Sequence, residues 1–103
     1  MNNLPLKVAV QNINGKKYKE VAPENALLNR LLPIEDTRFP MLRWLDPYSN
    51  TIFNGIQMYP LLEELDRLAG EISSEGKQLI EQIRELAVYC RDHPQTYLRF
   101  IGD

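Results

Sequence analysis

The side chains with the most reactive chemistry lie near the C-terminus, at Cys90, Asp92 and His93. A thiol three residues from an imidazole could form a nucleophilic cysteine–histidine pair or half of a zinc site. However, a structural zinc site needs four ligands, and the chain has one cysteine and one histidine. Pro94 also ends the helix that would hold the pair. We therefore expect Cys90 to pack as a small apolar side chain and His93 to lie at a helix C-terminus.

Acidic side chains are adjacent in two places, at Glu35-Asp36 and at Glu63-Glu64-Asp66. General acid–base catalysis requires surroundings that separate the pKa values of two carboxyl groups, usually by burying one of them. The second group falls on the polar side of its predicted helix, and the first lies in a short connector. We therefore expect both groups to be solvated surface charges, and we predict no catalytic residue.

Phosphate-binding motifs are weak in this chain. The five glycines are isolated, so they form neither a phosphate loop nor a dinucleotide fingerprint. Lys16-Lys17-Tyr18-Lys19 is the one basic cluster, and lysines beside an aromatic ring could contact nucleic acid. Because three lysines next to a hairpin turn also suit a solvated loop, we do not expect nucleic acid as the partner. No metal and no cofactor is predicted.

Length and composition predict a single globular domain over residues 1–103. The content of 44% apolar and 25% charged residues is ordinary for such a domain. No apolar run approaches the roughly 20 residues that cross a bilayer, and Met1–Pro5 lacks the features of a signal peptide. A lone cysteine fits a reducing compartment, so we expect a cytoplasmic protein without membrane contact. Residues 1–22 are net basic and the rest net acidic, which suits a polar protein partner or self-association.

Hydrophobic periodicity and turn signals predict the element order ββαβααβ. The predicted strands cover residues 6–10, 16–21, 41–46 and 96–101. Asn14-Gly15 joins the first two as a hairpin, and a turn over Asp46–Asn50 follows the third. Strands at both ends of the chain, with paired helices between them, predict an α+β fold. We expect a small, mostly antiparallel sheet packed against two or three helices.

Three helices are predicted between these strands. The first begins at Pro23-Glu24 and ends before Pro33. The second begins at Ile56 or Pro60 and presents an apolar stripe, with Glu63, Glu64, Asp66 and Arg67 facing solvent. The third begins after Ser73-Ser74 and ends at Asp92-His93-Pro94.

The stretch Phe39–Tyr59 holds five of the nine aromatic residues, together with two methionines and several amide side chains. Tyr, Trp, Met and Arg are enriched at protein–protein contacts. A strand with a packed connector would also collect aromatic residues, so Trp44 and Phe53 could instead belong to the core. The candidate partner-binding residues are Arg43, Trp44, Tyr48, Asn50, Asn54, Gln57 and Tyr59.

A resemblance to a group of proteins rests on Asp46 with Thr51–Gln57, running into Leu61–Leu65, and on the tail Leu98–Asp103. This pattern resembles small bacterial proteins of unassigned role, some of which look like immunity partners of secreted toxins. The resemblance covers part of the chain and brings no catalytic residues with it. It implies a rigid surface that is complementary to a toxin.

These features predict a small cytoplasmic binding protein that is not an enzyme. The leading hypothesis is an immunity-type inhibitor that occludes a bacterial toxin with the Arg38–Tyr59 region and an acidic helix surface. The alternative is a structural or accessory domain, either homodimeric or binding a small ligand. A homodimer would pair an exposed strand edge, or the aromatic segment, with a copy of itself.

Overall fold

The computed structural model describes residues 5–102, which form an α+β fold with the predicted element order. Residues 1–4 and Asp103 lie outside the described residues. The expectation of no signal peptide depends on the first of these segments, and the resemblance ends at Asp103. The elements are β1 (Lys7–Asn12), β2 (Lys17–Val21), α1 (Leu27–Leu31), β3 (Asn50–Asn54), α2 (Met58–Ala69), α3 (Ser74–Asp92) and β4 (Thr96–Ile101). Short 3₁₀ turns at Glu24–Ala26 and Leu42–Trp44 precede α1 and β3.

In the described part of the chain the four strands form one sheet in the order β2-β1-β4-β3, with every neighbouring pair antiparallel. The predicted Asn14-Gly15 hairpin is confirmed. Gly15 has a φ of 83°, which glycine adopts without a steric penalty, and its N–H donates to the Asn12 carbonyl at 3.0 Å. This topology leaves β2 and β3 at the two edges of the sheet.

One face of the sheet is buried beneath the helices. Val8 lies opposite Phe100, and Val10 lies opposite Leu98, so alternate residues of β1 and β4 point to the same side. On that side α3 packs on the sheet and α2 packs on α3, and both helices contribute leucines and isoleucines to the core. Alternate residues on the opposite face, including Ile52, Tyr97 and Arg99, retain contact with solvent.

The third strand was predicted in the wrong place. Residues 42–44 form a 3₁₀ turn instead, and the strand that joins the sheet begins at Asn50. The Glu64 carboxylate accepts the backbone N–H groups of Met41 and Leu42, each at 3.0 Å from Oε1. Because each N–H group has one hydrogen, these two groups cannot also donate to a neighbouring strand.

The placement of Glu64 on the solvent side of its helix is also wrong. This side chain is 3% exposed, whereas Glu63, Asp66 and Arg67 are exposed as predicted. Burial of a carboxylate requires hydrogen-bond donors, and the 3₁₀ turn supplies them.

The first helix is shorter than predicted. The chain passes from Pro23 through a 3₁₀ turn in which Asn25 and Ala26 have positive φ, so α1 begins only at Leu27. The other two helices begin close to their predicted starts, and Ser73 caps α3 by accepting the Gly76 N–H. Among residues 5–102, no helix is both long enough and apolar enough to span a bilayer.

Candidate functional site

The reactive side chains near the end of α3 have separate hydrogen-bond partners. Cys90 is 1% exposed, its thiol donates to the Thr96 carbonyl at 3.4 Å, and burial raises the thiol pKa. His93 stacks on the Tyr89 ring at 3.7 Å, and its Nδ1 lies 2.8 Å from the Tyr89 carbonyl oxygen. Because a carbonyl oxygen only accepts, this contact places a hydrogen on Nδ1. Cys90 belongs to the core, as predicted from the sequence.

Three carboxylates on the surface, those of Asp36, Asp66 and Glu71, form ion pairs with arginines. The Arg38 guanidinium donates to Asp36 at 2.8 Å and to Glu71 at 2.9 Å, and it holds the pKa of Asp36 below its ordinary value. Arg84 of α3 donates to Asp66 of α2 at 2.8 Å. The Arg38–Glu71 pair connects the loop after α1 to the turn after α2, and the Arg84–Asp66 pair joins α3 to α2. Among the residues described, no three His, Cys, Asp or Glu side chains are grouped so that they could hold a metal ion.

Exposed apolar side chains are concentrated around β3. Eight large hydrophobic residues are exposed within residues 5–102, and five of them lie between residues 44 and 59. Ile56 is 81% exposed and Trp44 is 70% exposed. We define the β3 surface as strand β3 together with the exposed residues that flank it: Trp44, Tyr48, Ile56 and Tyr59.

The strand at the centre of this surface is an uncharged sheet edge. Its residues are Asn-Thr-Ile-Phe-Asn, and β4 is its only pairing partner in the described chain. Residues 47–62 contain no Asp, Glu, Lys, Arg or His, and no other stretch of the sequence without these residues is as long. By contrast, the edge strand β2 exposes Lys17, Lys19 and Glu20. Charges on an edge strand discourage pairing with another chain, and β3 lacks this protection.

The predicted site residues fall into two groups, one at each end of β3. Arg43, Trp44 and Tyr48 precede the strand and Asn50 opens it, whereas Asn54, Gln57 and Tyr59 lie at its far end. Of the two residues that could have been core, Phe53 is buried and Trp44 is exposed.

Arg43 lies against the Trp44 side chain. Its guanidinium carbon is 4.4 Å from the Trp44 ring centroid, a cation–π geometry. The Arg43 side chain is partly buried, and its Nε atom has no hydrogen-bond partner among the described residues. An arginine stacked on an exposed tryptophan combines two of the residue types that dominate binding energy at protein interfaces.

Asn54 and Gln57 have a structural role in the turn between β3 and α2. The Gln57 side-chain oxygen accepts the Asn54 N–H at 2.9 Å, and the Asn54 side-chain oxygen accepts the Gln57 N–H at 3.0 Å. This reciprocal pair holds the turn in which Ile56 projects into solvent. Both amides were predicted as partner-binding residues, and their role in the turn was not predicted from the sequence.

Two isoleucines of the β3 surface, Ile52 and Ile56, were absent from the candidates derived from the sequence. The sequence signal that marks them is the long uncharged stretch over residues 47–62. Ile56 and Tyr59 border an open cleft of about 420 Å³ that also reaches His93. Ile52 borders a second cavity of about 300 Å³ on the uncovered sheet face, beside Ile13 and Tyr97. One cavity therefore lies at the far end of β3, and the other lies on the uncovered face of the sheet.

Comparisons with protein-family models, with curated proteins and with solved structures found no match for this chain. The resemblance to immunity-type proteins therefore stays a hypothesis.

Proposed function

We propose that this protein is a non-catalytic binding domain that contacts a protein partner through the β3 surface. The supporting observation is the coincidence of exposed apolar side chains with an uncharged sheet edge. Contiguous exposed apolar residues on a globular protein typically mark an interaction site. An unpaired strand edge adds backbone N–H and C=O groups that can bind an extended segment of another chain.

A protein partner fits this surface better than a small ligand. Small-molecule sites enclose most of the ligand in a concave pocket. The side chains of Trp44, Tyr48 and Tyr59 on the β3 surface are exposed, and the two neighbouring cavities are open to solvent. Projecting aromatic and aliphatic side chains instead suit insertion into a complementary protein surface.

The resemblance to immunity proteins makes a bacterial toxin the leading partner class. In that role the protein would act in the cytoplasm by occluding the toxin with the β3 surface and with acidic helix residues, of which Glu63 and Asp66 of α2 are exposed. A reducing compartment agrees with the unpaired Cys90. The second candidate is a homodimeric accessory domain, which is favoured by the uncharged edge of β3, with the exposed Ile52 at its centre.

The test compares partner capture by matched charge variants of the immobilised protein. The double variant Ile52→Lys with Ile56→Lys introduces two charges on the β3 surface. The control, Gln78→Lys with Gln82→Lys, introduces the same charges at exposed positions of α3. We expect the wild type and the control to retain the same protein, and the β3 variant to lose it.

The retained protein is then identified, purified and titrated against each variant, so that binding is measured between two defined components. Thermal unfolding verifies that each variant is folded. The proposed function fails if the purified pair binds equally well to the β3 variant and to the α3 control.

A further inference from the structure

Three exposed apolar residues of the β3 surface, Tyr48, Ile52 and Ile56, are evenly spaced along the sequence. Tyr48 and Ile56 lie four residues before and after Ile52, whereas Trp44 and Tyr59 are not symmetric about it. Within β3, Asn50 and Asn54 are equidistant from Ile52, whereas Thr51 and Phe53 differ. In an antiparallel pairing with a second copy about Ile52, isoleucine therefore lies opposite isoleucine, and the β-branched Thr51 lies opposite the aromatic Phe53, which is a favourable type of cross-strand pair.

We propose that β3 pairs with β3 of a second copy of this chain around a two-fold axis at Ile52. The two sheets then join into one continuous eight-stranded sheet. This inference rests on the proposed function and develops its second candidate, since it names a second copy of the chain as the partner of the same β3 surface.

The register of this pairing follows from the two-fold axis. Ile52 faces Ile52 of the second copy, and Asn50 faces Asn54 of the second copy. The Asn54 N–H already donates to the Gln57 side chain, so at that end the Asn54 carbonyl, and not its N–H, is available to the second strand. Directly opposed side chains in an antiparallel pair lie about 4.5–5.5 Å apart at Cβ, so the two isoleucines are in contact. The same rotation brings the strand end that carries Tyr48 beside the end that carries Ile56 in the second copy.

The charge distribution selects β3 and excludes β2 as the self-pairing edge. A symmetric pair of β2 strands would place Lys19 opposite Lys19 of the second copy, and like charges directly opposite one another are destabilising. The β3 pairing meets no such repulsion, because residues 47–62 are uncharged. Because this edge carries no charge, it also offers no electrostatic complementarity to a different protein with a charged surface.

The experiment measures the mass of the purified full chain by sedimentation equilibrium over a range of concentrations. We expect a monomer–dimer equilibrium. The variant Ile52→Lys places two like charges at the axis and is expected to raise the dissociation constant at least tenfold. Ile34→Lys is the matched control, since Ile34 is 50% exposed and lies in the loop after α1. This control is expected to dimerise as the wild type does.

A charge-swap mixture tests the register directly. Ile52→Lys and Ile52→Glu are each expected to be monomeric alone, and their mixture is expected to form a heterodimer because lysine then faces glutamate. Rescue of this kind requires the two side chains to meet, so a merely destabilised fold would not produce it.

Two results overturn the inference: a wild type that stays monomeric at every concentration, or a dimer that survives both Ile52 substitutions. If the wild type is monomeric but loses a different protein partner on Ile52→Lys, the proposed function stands and the self-pairing does not. If the wild type is monomeric and Ile52→Lys changes no partner binding, both are wrong.

Discussion

The Glu64 carboxylate accepts the backbone N–H of Leu42, with Oε1 lying 3.0 Å from the nitrogen. The same carboxylate accepts the Met41 N–H at 3.0 and 3.1 Å. A buried side chain of α2 therefore satisfies the backbone of a turn that is 22 or more residues away in sequence. This contact fixes the 3₁₀ turn, and the turn places Trp44 in solvent at one end of the β3 surface.

Replacing Glu64 by alanine should destabilise the fold strongly. Hydrogen bonds to a charged group contribute about 1.5–3 kcal/mol each, and the deletion leaves the buried Leu42 N–H without an acceptor. We expect the free energy of unfolding to fall by about 2–4 kcal/mol, as measured by urea denaturation. The control Glu63→Ala alters an exposed neighbour on the same helix and should change it by less than about 0.5 kcal/mol. Equal effects of the two substitutions would contradict the role assigned to Glu64.

The elements that form from local signals were predictable from the sequence, and β3 was not. Strand β4 and helix α3 were predicted within a residue or two, because their periodicity and caps lie within their own segments. Residues 41–46 also show apolar periodicity, but Glu64 captures their N–H groups. No local pattern reveals that contact, although the β-branched pair Thr51-Ile52 was an unused signal for the true strand.

The candidate site was predictable as a segment but not residue by residue. Phe53 and Trp44 are both aromatic, and only the sheet register separates them. Phe53 lies opposite Leu98 on the helix-facing side of the sheet, and its ring meets the Phe100 ring edge-on with 5.9 Å between the ring centroids. Trp44, by contrast, precedes the strand. Exposure of an aliphatic residue such as Ile52 follows from its place on the uncovered face of an edge strand, which requires the topology to be known.

Substitution of Gly102 by alanine should be destabilising although glycine lies at the end of the sheet. A Cβ atom built on this glycine would lie 2.7 Å from the Pro47 carbonyl oxygen and closer still to that of Ser49. The Gly102 N–H also donates to the Ser49 carbonyl at 3.0 Å, so the two backbones cannot separate without losing this bond. Overpacking of this kind costs about 1–3 kcal/mol, measured as the change in unfolding free energy.

Gly70→Ala is the matched control for that substitution. The nearest atom to its added Cβ would be 3.5 Å away, an ordinary contact. If the two variants had the same free energy of unfolding, the loop over residues 47–49 would have to move away from β4 without cost.

Cys90 should react slowly with thiol reagents in the folded protein. Its thiol is buried and its pKa is raised, so both access and the thiolate fraction are reduced at pH 8. We expect the reaction with a disulfide reagent to be at least tenfold slower in buffer than in denaturing urea. Equal rates in the two solvents would show that the thiol is accessible.

The raised pKa of Cys90 also predicts how stability changes in alkali. A group whose pKa is higher in the folded state than in the unfolded state stabilises the fold below its unfolded pKa. That contribution is lost as the pH rises through the ordinary thiol value of 9.0 toward the folded value. The variant Cys90→Ala should therefore lose less stability than the wild type between pH 8 and 10 when both are followed by urea denaturation.

Arg38→Ala should raise the pKa of Asp36. The side-chain hydrogen bond from Arg38 is the largest cause of the low value, so its removal returns the carboxyl toward 3.8. Because the pKa of Asp36 is lower in the folded state than in the unfolded state, its ion pair stabilises the fold when the pH is above the unfolded pKa. This stabilisation is lost as the pH falls through the folded pKa. NMR titration of the carboxyl carbon below pH 5 measures this change. Arg30→Ala serves as the control, and an unchanged Asp36 titration in Arg38→Ala would contradict the ion pair.

Trp44 fluorescence should report the self-pairing of the β3 surface without a label. Trp44 is the single tryptophan and is 70% exposed in one copy of the chain, so dilute protein should show solvent-exposed emission that iodide quenches. The proposed two-fold axis brings each end of β3 beside the opposite end of the second strand. We therefore expect the emission to shift to shorter wavelength, and the quenching to fall, as concentration rises through the dimer dissociation constant. Ile52→Lys should abolish this dependence and Ile34→Lys should preserve it. Emission that is independent of concentration while the mass doubles would place the contact away from Trp44.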